Sequence, residues 1–397
     1  MASSSRFIRK MKSLAIVAIG GGIAFSGISL YRGNSKFYSD IALPMIHKVL
    51  EPETAHRFGV VTAGAGLIPK SKVCDSQILE TSFWGLKIKN PIGLAAGFDK
   101  NCEAVPGIFK AGFGFVEIGS VTPLPQPGNP KPRVFRLKND LGIINKYGFN
   151  NEGQDYVYNR LQKIKENQPN LIIGVNLGRN KDSASAIDDY KKGVLKFGEL
   201  ADYLVINISS PNTPGLRSLQ KRKLLEELLD NVLEVRNKLF KKTPLLVKIS
   251  PDTTYSEREN IAKAVKRKGK EVDGLIVSNT TISRPDHLTD LVENDGGLSG
   301  KPLKNMSTEA IRDMFVLTEG KMLIIGVGGI FTGKDAYEKI KAGASLVQLY
   351  TALVYKGPPV VTEIKKELED LLRADGYTNI IEAVGADIKW RERNLPI

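Results

Sequence analysis

A chain of 397 residues with 42% apolar content can bury a barrel-sized core, so disorder is excluded as the default. Two cysteines, Cys74 and Cys102, are too few for a disulfide framework, and with His47, His56 and His287 as the only histidines no metal cluster is expected. The formal charge of +14 suggests nucleic acid or an anionic membrane, but the first 43 residues hold six bases and one acid, and the rest shows no basic run with interleaved aromatics, which argues against nucleic acid.

Residues 1–12, MASSSRFIRKMK, carry four bases, serines and no acid, the composition of a mitochondrial import segment. The uncharged run 13–31, SLAIVAIGGGIAFSGISLY, has 19 residues, about 28 Å of helix, enough to cross hydrocarbon. A secretory signal would have a shorter apolar core and a small-residue cleavage site, so a single-pass anchor is expected. Residues 37–68 are apolar at helical spacing on both sides of Pro52 and predict two short amphipathic helices. Directly after an anchor, such helices can rest on a bilayer, shelter a lipid-like ligand, or pack as an ordinary hairpin on the main domain. PKSKVCDS, 69–76, reads as a linker, and LETSFWGLKIK, 79–89, as a hairpin closing the bottom of the domain that spans 77–397.

Eight β-rich runs then alternate with helical patterns: GLAAG at 93, GFVEIGS at 114, LIIGVN at 171, YLVIN at 203, LLVKI at 245, DGLIVSN at 273, LIIGVGG at 323 and SLVQLYT at 345. Helix-length amphipathic segments such as 153–167 and 216–239 lie between them. Near-continuous apolar strands with crossover helices imply a covered parallel sheet, and eight is the count that closes an α/β (β/α)8 TIM barrel. An open doubly wound sheet would carry GxGxxG after its first strand, and none is present. TPLPQPGNPKPR, 122–133, has five prolines and predicts an extended loop.

In such a barrel the chemistry collects at the carboxyl ends of the strands. Those ends supply Ala95, Ala96, Gly97 and Lys100; Gly119 and Ser120; Asn176; Asn207 and Ser210; Lys248; Ser278, Asn279 and Thr280; Gly328 and Gly329; Tyr350 and Thr351. The set is rich in carboxamides and almost without acids. GVGG at 326–329 and the Tyr350–Thr351 pair offer main-chain N–H groups where barrels bind phosphate, which suits a redox cofactor or a sugar phosphate alike. Lys248 ends an apolar strand, where an unpaired ammonium is costly; a salt bridge inside the barrel, a Schiff base, or a place beside a flavin's pyrimidine end would each satisfy it.

Read together, GLAAGFDKN (93–101), EIGSVTP (117–123), NKYGFNNEG (145–153), GVNLGRNK (174–181), NISSPNTPGLRSLQ (207–220), VKISPD (247–252), SNTTISRP (278–285), GGLSGKPL (296–303), IIGVGGI (324–330) and SLVQLYTAL (345–353) resemble the dihydroorotate dehydrogenases of the membrane-bound, quinone-reducing class. PETAHR, 52–57, after an apolar anchor resembles the same class. The chain departs from some relatives at Asn151 and Glu152 and in the tail KWRERNLPI.

The resemblance implies oxidation of dihydroorotate to orotate: a base takes the C5 proton on one face of the substrate, and FMN takes the C6 hydride on the other. Ser210 stands where the family has its base, with Thr213 and water passing the proton on; the soluble class has cysteine there. Asn145, Asn207, Asn212 and Asn279 would hold the pyrimidine and its carboxylate, since carboxamides match alternating C=O and N–H edges. Lys100, Tyr147, Gly148, Phe149 and Thr280 would complete the substrate site. FMN would be held by Ala95, Ala96, Gly97, Ser120, Asn145, Asn176, Asn207, Lys248, Ser278, Gly300, Gly328, Gly329, Tyr350 and Thr351. His56 and Arg136 match positions lining a passage between the two amino-terminal helices, through which ubiquinone reaches the reduced flavin. A place in the mitochondrial inner membrane, touching its lipid, follows from the same resemblance, and a monomer is expected. Two other readings stay open: a flavin barrel acting on uridine in tRNA, which would normally use a cysteine, and a membrane-tethered barrel that binds nucleotides without turnover.

Overall fold

The computed structural model describes residues 2–286, 288–290 and 295–389, with side chains from residue 10 onward. His287, most of the KWRERNLPI tail and the side chains of the first nine residues lie outside the described residues.

The import-type segment and the apolar run share one helix, Ala2–Arg32, of which Lys10–Arg32 is long and apolar enough to cross a membrane. Ile16, Val17, Ile19 and Ile23 are exposed on it, as a lipid-facing helix requires. Gly33 ends the helix in the left-handed region (φ 64°), and Asn34 accepts the Phe37 N–H at 2.9 Å to cap the next one. That helix continues to Val49 through a wider turn over Tyr38–Ala42, and Pro52 opens the second, Pro52–Gly64, where its missing N–H costs nothing. Tyr38, Val60 and Ala63 are buried, while Met45, Val49, Phe58 and Val61 are exposed, so the pair packs on the barrel and still presents apolar side chains outward.

All eight expected strands form, within three residues of their sequence limits: Ile92–Leu94, Phe115–Val121, Ile173–Leu177, Tyr203–Asn207, Leu245–Ile249, Gly274–Val277, Leu323–Val327 and Leu346–Leu349. They pair in parallel and in chain order, and the last pairs with the first through Val347 and Ile92, closing the barrel. Side chains alternate between two layers. One set, including Leu94, Val116, Val175 and Leu204, packs outward against the crossover helices; the other, including Phe115, Tyr203, Leu246 and Ile325, fills the barrel. Each such burial contributes about 1.5–3 kcal/mol. A Cβ on Gly174 would stand 2.0 Å from the Tyr203 ring, so glycine there makes room for an aromatic inside the barrel. The hairpin Thr81–Phe83 with Leu86–Ile88 plugs the bottom, its Trp84 ring 5.9 Å from Tyr203.

Two features differ from expectation. Residues 216–239 divide into a 3-10 turn, Leu216–Gln220, and a helix, Arg222–Asn237. A three-stranded antiparallel sheet, Val134–Leu137, Gly142–Asn145 and Gly297–Gly300, stands at the barrel mouth after the proline-rich loop. Its strands are four residues long, and although the first two form a local hairpin, the third, Gly297–Gly300, joins from some 150 residues away, so no sequence pattern announces the sheet.

Candidate active site

One cavity of about 680 Å³ begins at the carboxyl ends of the strands and opens between the amino-terminal helices. Every site residue expected from the sequence borders it except Gly119, Asn176 and Thr213, which are buried beside it. Among the described residues no acidic side chain lines it, whereas Lys100, Arg136 and Lys248 do. Such a lining favours anionic ligands.

The floor is built by Glu117, a residue the sequence reading left without a role. Its carboxylate is fully buried inside the second strand and accepts from Asn176 Nδ2 at 2.8 Å and Gln348 Nε2 at 2.7 Å. Lys248 Nζ lies 3.7 Å from it, so the salt bridge expected as one option is present while Lys248 still borders the cavity. The signal was available: a glutamate in an otherwise apolar strand, FVEIGSV, needs a buried cation, and LLVKI supplies the only lysine of its kind. Asn176 therefore acts from behind the lining, holding Ser120 and Asn207 through its Oδ1.

The four expected asparagines come together as two pairs. Asn212 Nδ2 donates to Asn145 O at 3.0 Å, and Asn279 Nδ2 donates to Asn207 Oδ1 at 3.2 Å. Ser210 is buried between them, its Oγ accepting the Asn212 N–H at 3.3 Å. Arg217 fastens this loop: Nε donates to Ser209 O, Nη2 to Thr280 O, both at 3.1 Å, and Nη1 pairs with Asp252 at 2.8 Å. Asp252 also takes Thr281 Oγ1 and the Ile282 N–H. The Ser210 loop and the Asn279 loop are thus clamped to one carboxylate, a function the motifs around Arg217 and Asp252 did not reveal. Asn151, one of the departures from some relatives, is buried and ties Thr122 to the Phe149 carbonyl. Lys100 sits 3.3 Å over the Tyr147 ring, and burial, with Arg133 nearby, pulls its pKa well below that of a free lysine.

At the other wall, Gly328 and Gly329 adopt φ 120° and 71°. A Cβ on Gly329 would meet Lys304 Cα at 2.5 Å, so only glycine brings this main chain to the cavity. Thr351 and Ala352, the first residues of the helix Thr351–Lys356, border the same end with N–H groups that precede the first helical carbonyl, whereas the Leu353 N–H is taken by Tyr350 O at 2.9 Å. Gln348 Oε1 is buried without a partner, an acceptor suited to a ring N–H of a bound group. Small residues, free N–H groups, an orphaned acceptor and a buried lysine fit a phosphate-bearing flavin.

Toward the helices the lining turns apolar. His56 joins the helix Pro52–Gly64 to the barrel: Nε2 donates to Phe98 O at 2.8 Å, which leaves Nδ1 to accept from Tyr147 OH at 2.9 Å. Burial, with Lys100 close by, lowers its pKa from 6.5 to about 4. The unfolded chain takes up the proton near 6.5 and the folded one only near 4, so stability falls as pH falls between these values. At pH 5 this residue is expected to cost about 2 kcal/mol relative to pH 7. The melting temperature of His56→Asn should accordingly lose less than wild type between pH 6.5 and 5; parallel curves would contradict this. Arg136 donates through Nη2 to Leu50 O at 2.7 Å, and its Nη1 is buried without a partner at the cavity.

A closed parallel barrel whose mouth is cationic and rich in carboxamides has the lining of a site for anionic ligands. Residues 78–372 match the family model described as dihydroorotate dehydrogenase, and the chain belongs to that family. It is 50% identical over 381 residues to the mitochondrial dihydroorotate dehydrogenase (quinone) of Mus musculus, covering 94% of this chain and 96% of that one. The corresponding quinone enzyme of Xanthobacter autotrophicus is 49% identical, with 87% and 98% covered. Among solved structures, DHODH from Eimeria tenella in complex with ferulenol superposes with a TM-score of 0.81 at 44% identity, covering 85% and 96%. Its ligand-free form gives 0.82 at 45%, covering 85% and 100%. The mouse and Xanthobacter relatives are quinone enzymes, and neither the tRNA-uridine reading nor the non-catalytic one finds support among these matches.

Proposed function

We propose that this protein oxidises dihydroorotate to orotate for pyrimidine biosynthesis, with FMN as hydride acceptor and ubiquinone as final oxidant. The observation that carries the reading is a single cavity joining Ser210, the asparagine pairs, Lys248 and the glycine wall to an apolar opening between two amphipathic helices. Bound FMN would supply the hydride acceptor, held by Gly328, Gly329 and the Tyr350–Thr351 main chain at its phosphate and by Lys248, Gln348 and Ser120 at its ring.

Ser210 takes the C5 proton, and Thr213, buried three positions further on, passes it toward solvent. A hydroxyl is a feeble base, so its surroundings must lower the barrier. The paired asparagines fix the substrate's amide edges, and Lys100 stabilises the charge that spreads into the substrate as the proton leaves. Lys248 presents a positive charge where the reduced ring would be anionic, and Glu117 keeps that ammonium in place. His56 and the free Nη1 of Arg136 line the path of the oxidant; a quinone carbonyl would satisfy that donor.

Residues 1–12 serve as the import segment, 13–31 as a single span of the mitochondrial inner membrane in contact with its lipid, 37–68 as the quinone-access helices and 77–397 as a catalytic unit that works as a monomer. The test is an anaerobic absorbance spectrum. Adding dihydroorotate to the yellow protein should bleach the flavin bands and ubiquinone should restore them; a spectrum that dihydroorotate leaves unchanged would exclude the reading.

A further inference from the structure

The opening of the cavity is not formed by the two amphipathic helices alone. Ser26 and Leu30, one turn apart on the helix Ala2–Arg32, border it together with Phe37, Tyr38, Ile41 and Met45. Ser29, on the same face, is 5% exposed, whereas Ile16, Val17, Ile19 and Ile23 further up the helix are 64–73% exposed. In the last turns Ser29 is buried and Ser26 half-buried, while Leu30, Ile28 and Phe25 stay 39–61% exposed, so these turns touch the protein along one face only and the earlier ones do not touch it. The seat is built from specific contacts. The Phe25 and Phe37 rings meet edge to face at 5.8 Å, Tyr38 OH donates to Leu30 O at 3.4 Å, and the Asn34 N–H donates to Ser29 O at 2.9 Å. Gly33, whose Cβ would stand 3.2 Å from Pro69, turns the chain back so that this face meets the opening.

We propose that the last two turns of the amino-terminal helix form one wall of the oxidant's passage, with Ser26 and Leu30 contacting the isoprenoid tail of a quinone. The inference rests on the reading of the cavity as a quinone passage. An isoprenoid tail is wholly apolar, so a tail that extends beyond the cavity is favoured along an apolar surface over water. The face carrying Ser26 and Leu30 is continuous with the cavity at one end and with the lipid-facing apolar stretch at the other, so the tail reaches hydrocarbon without crossing water. The anchor then has two tasks: it holds the enzyme at the membrane and it sorts oxidants by tail.

The test uses the full chain with its flavin in phospholipid vesicles and two ubiquinones, one with a single isoprene unit and one with a long tail. Leu30→Trp and Ser26→Phe fill the opening from this wall. Each is expected to raise the ratio of KM for the long-tailed quinone to KM for the short one roughly tenfold over wild type, the scale of a steric misfit in an apolar site. Bleaching of the flavin by dihydroorotate, measured without oxygen in the same preparations, reports that the barrel is folded. If both variants bleach and keep the wild-type KM ratio, the wall assignment is overturned. If the wild-type flavin, once bleached, is reoxidised by neither quinone, the passage is overturned and this inference with it.

Discussion

Ser210→Ala is expected to yield a yellow, folded protein whose flavin is bleached by dihydroorotate about 10²–10⁴ times more slowly than wild type at neutral pH. Ser210 borders the cavity between the two asparagine pairs, and its loss removes one hydroxyl from a loop still held by Arg217 and Asp252. The substrate subsite therefore survives, and only the proton acceptor is missing. Stopped-flow absorbance separates the two half-reactions. Bleaching should slow, while reoxidation of chemically reduced flavin by ubiquinone should proceed as in wild type, because Ser210 lies on the substrate side. Bleaching at the wild-type rate would remove Ser210 from its role.

The second large effect concerns Glu117. Glu117→Gln keeps the shape of the side chain but leaves the Lys248 ammonium, 6% exposed, without its counter-charge. Breaking a buried pair from one side costs about 3–5 kcal/mol, because the remaining charge is neither solvated nor matched. The melting temperature of the flavin-free protein should fall by on the order of 5 °C or more. Bound flavin offers Lys248 a partial replacement, so the loss should be smaller in the loaded protein. Adding Lys248→Met should restore much of the stability, since no charge is then stranded, but it should not restore dihydroorotate oxidation. That non-additivity in stability distinguishes a charge pair from two independent packing defects. Equal melting temperatures for wild type and Glu117→Gln would show that the pair contributes nothing.

How much of this was legible in the chain follows from the range of each interaction. The eight barrel strands show plainly because runs such as YLVIN and LLVKI are β-rich, apolar and separated by helical spacing, all of it local. The helical pair shows through Pro52 and its flanking apolar faces. The mouth sheet does not, because Gly297–Gly300 pairs with Gly142–Asn145 across some 150 residues and neither strand carries a pattern of its own. Arg217 and Asp252 escaped assignment for the same reason, each mattering through partners on other loops, whereas the Glu117–Lys248 pair was signalled by two charges in otherwise apolar strands and could have been paired. Resemblance named the groups that face the cavity, yet it could not say that Asn176 and Thr213 stand behind the lining.

The most direct test of the account is a structure of the flavin-loaded protein with orotate bound. The account predicts Ser210 Oγ within about 3.5 Å of the ring carbon that loses its proton, on the face opposite the flavin. A serine side chain turned away from that carbon, or a flavin lying on the same face, would contradict it.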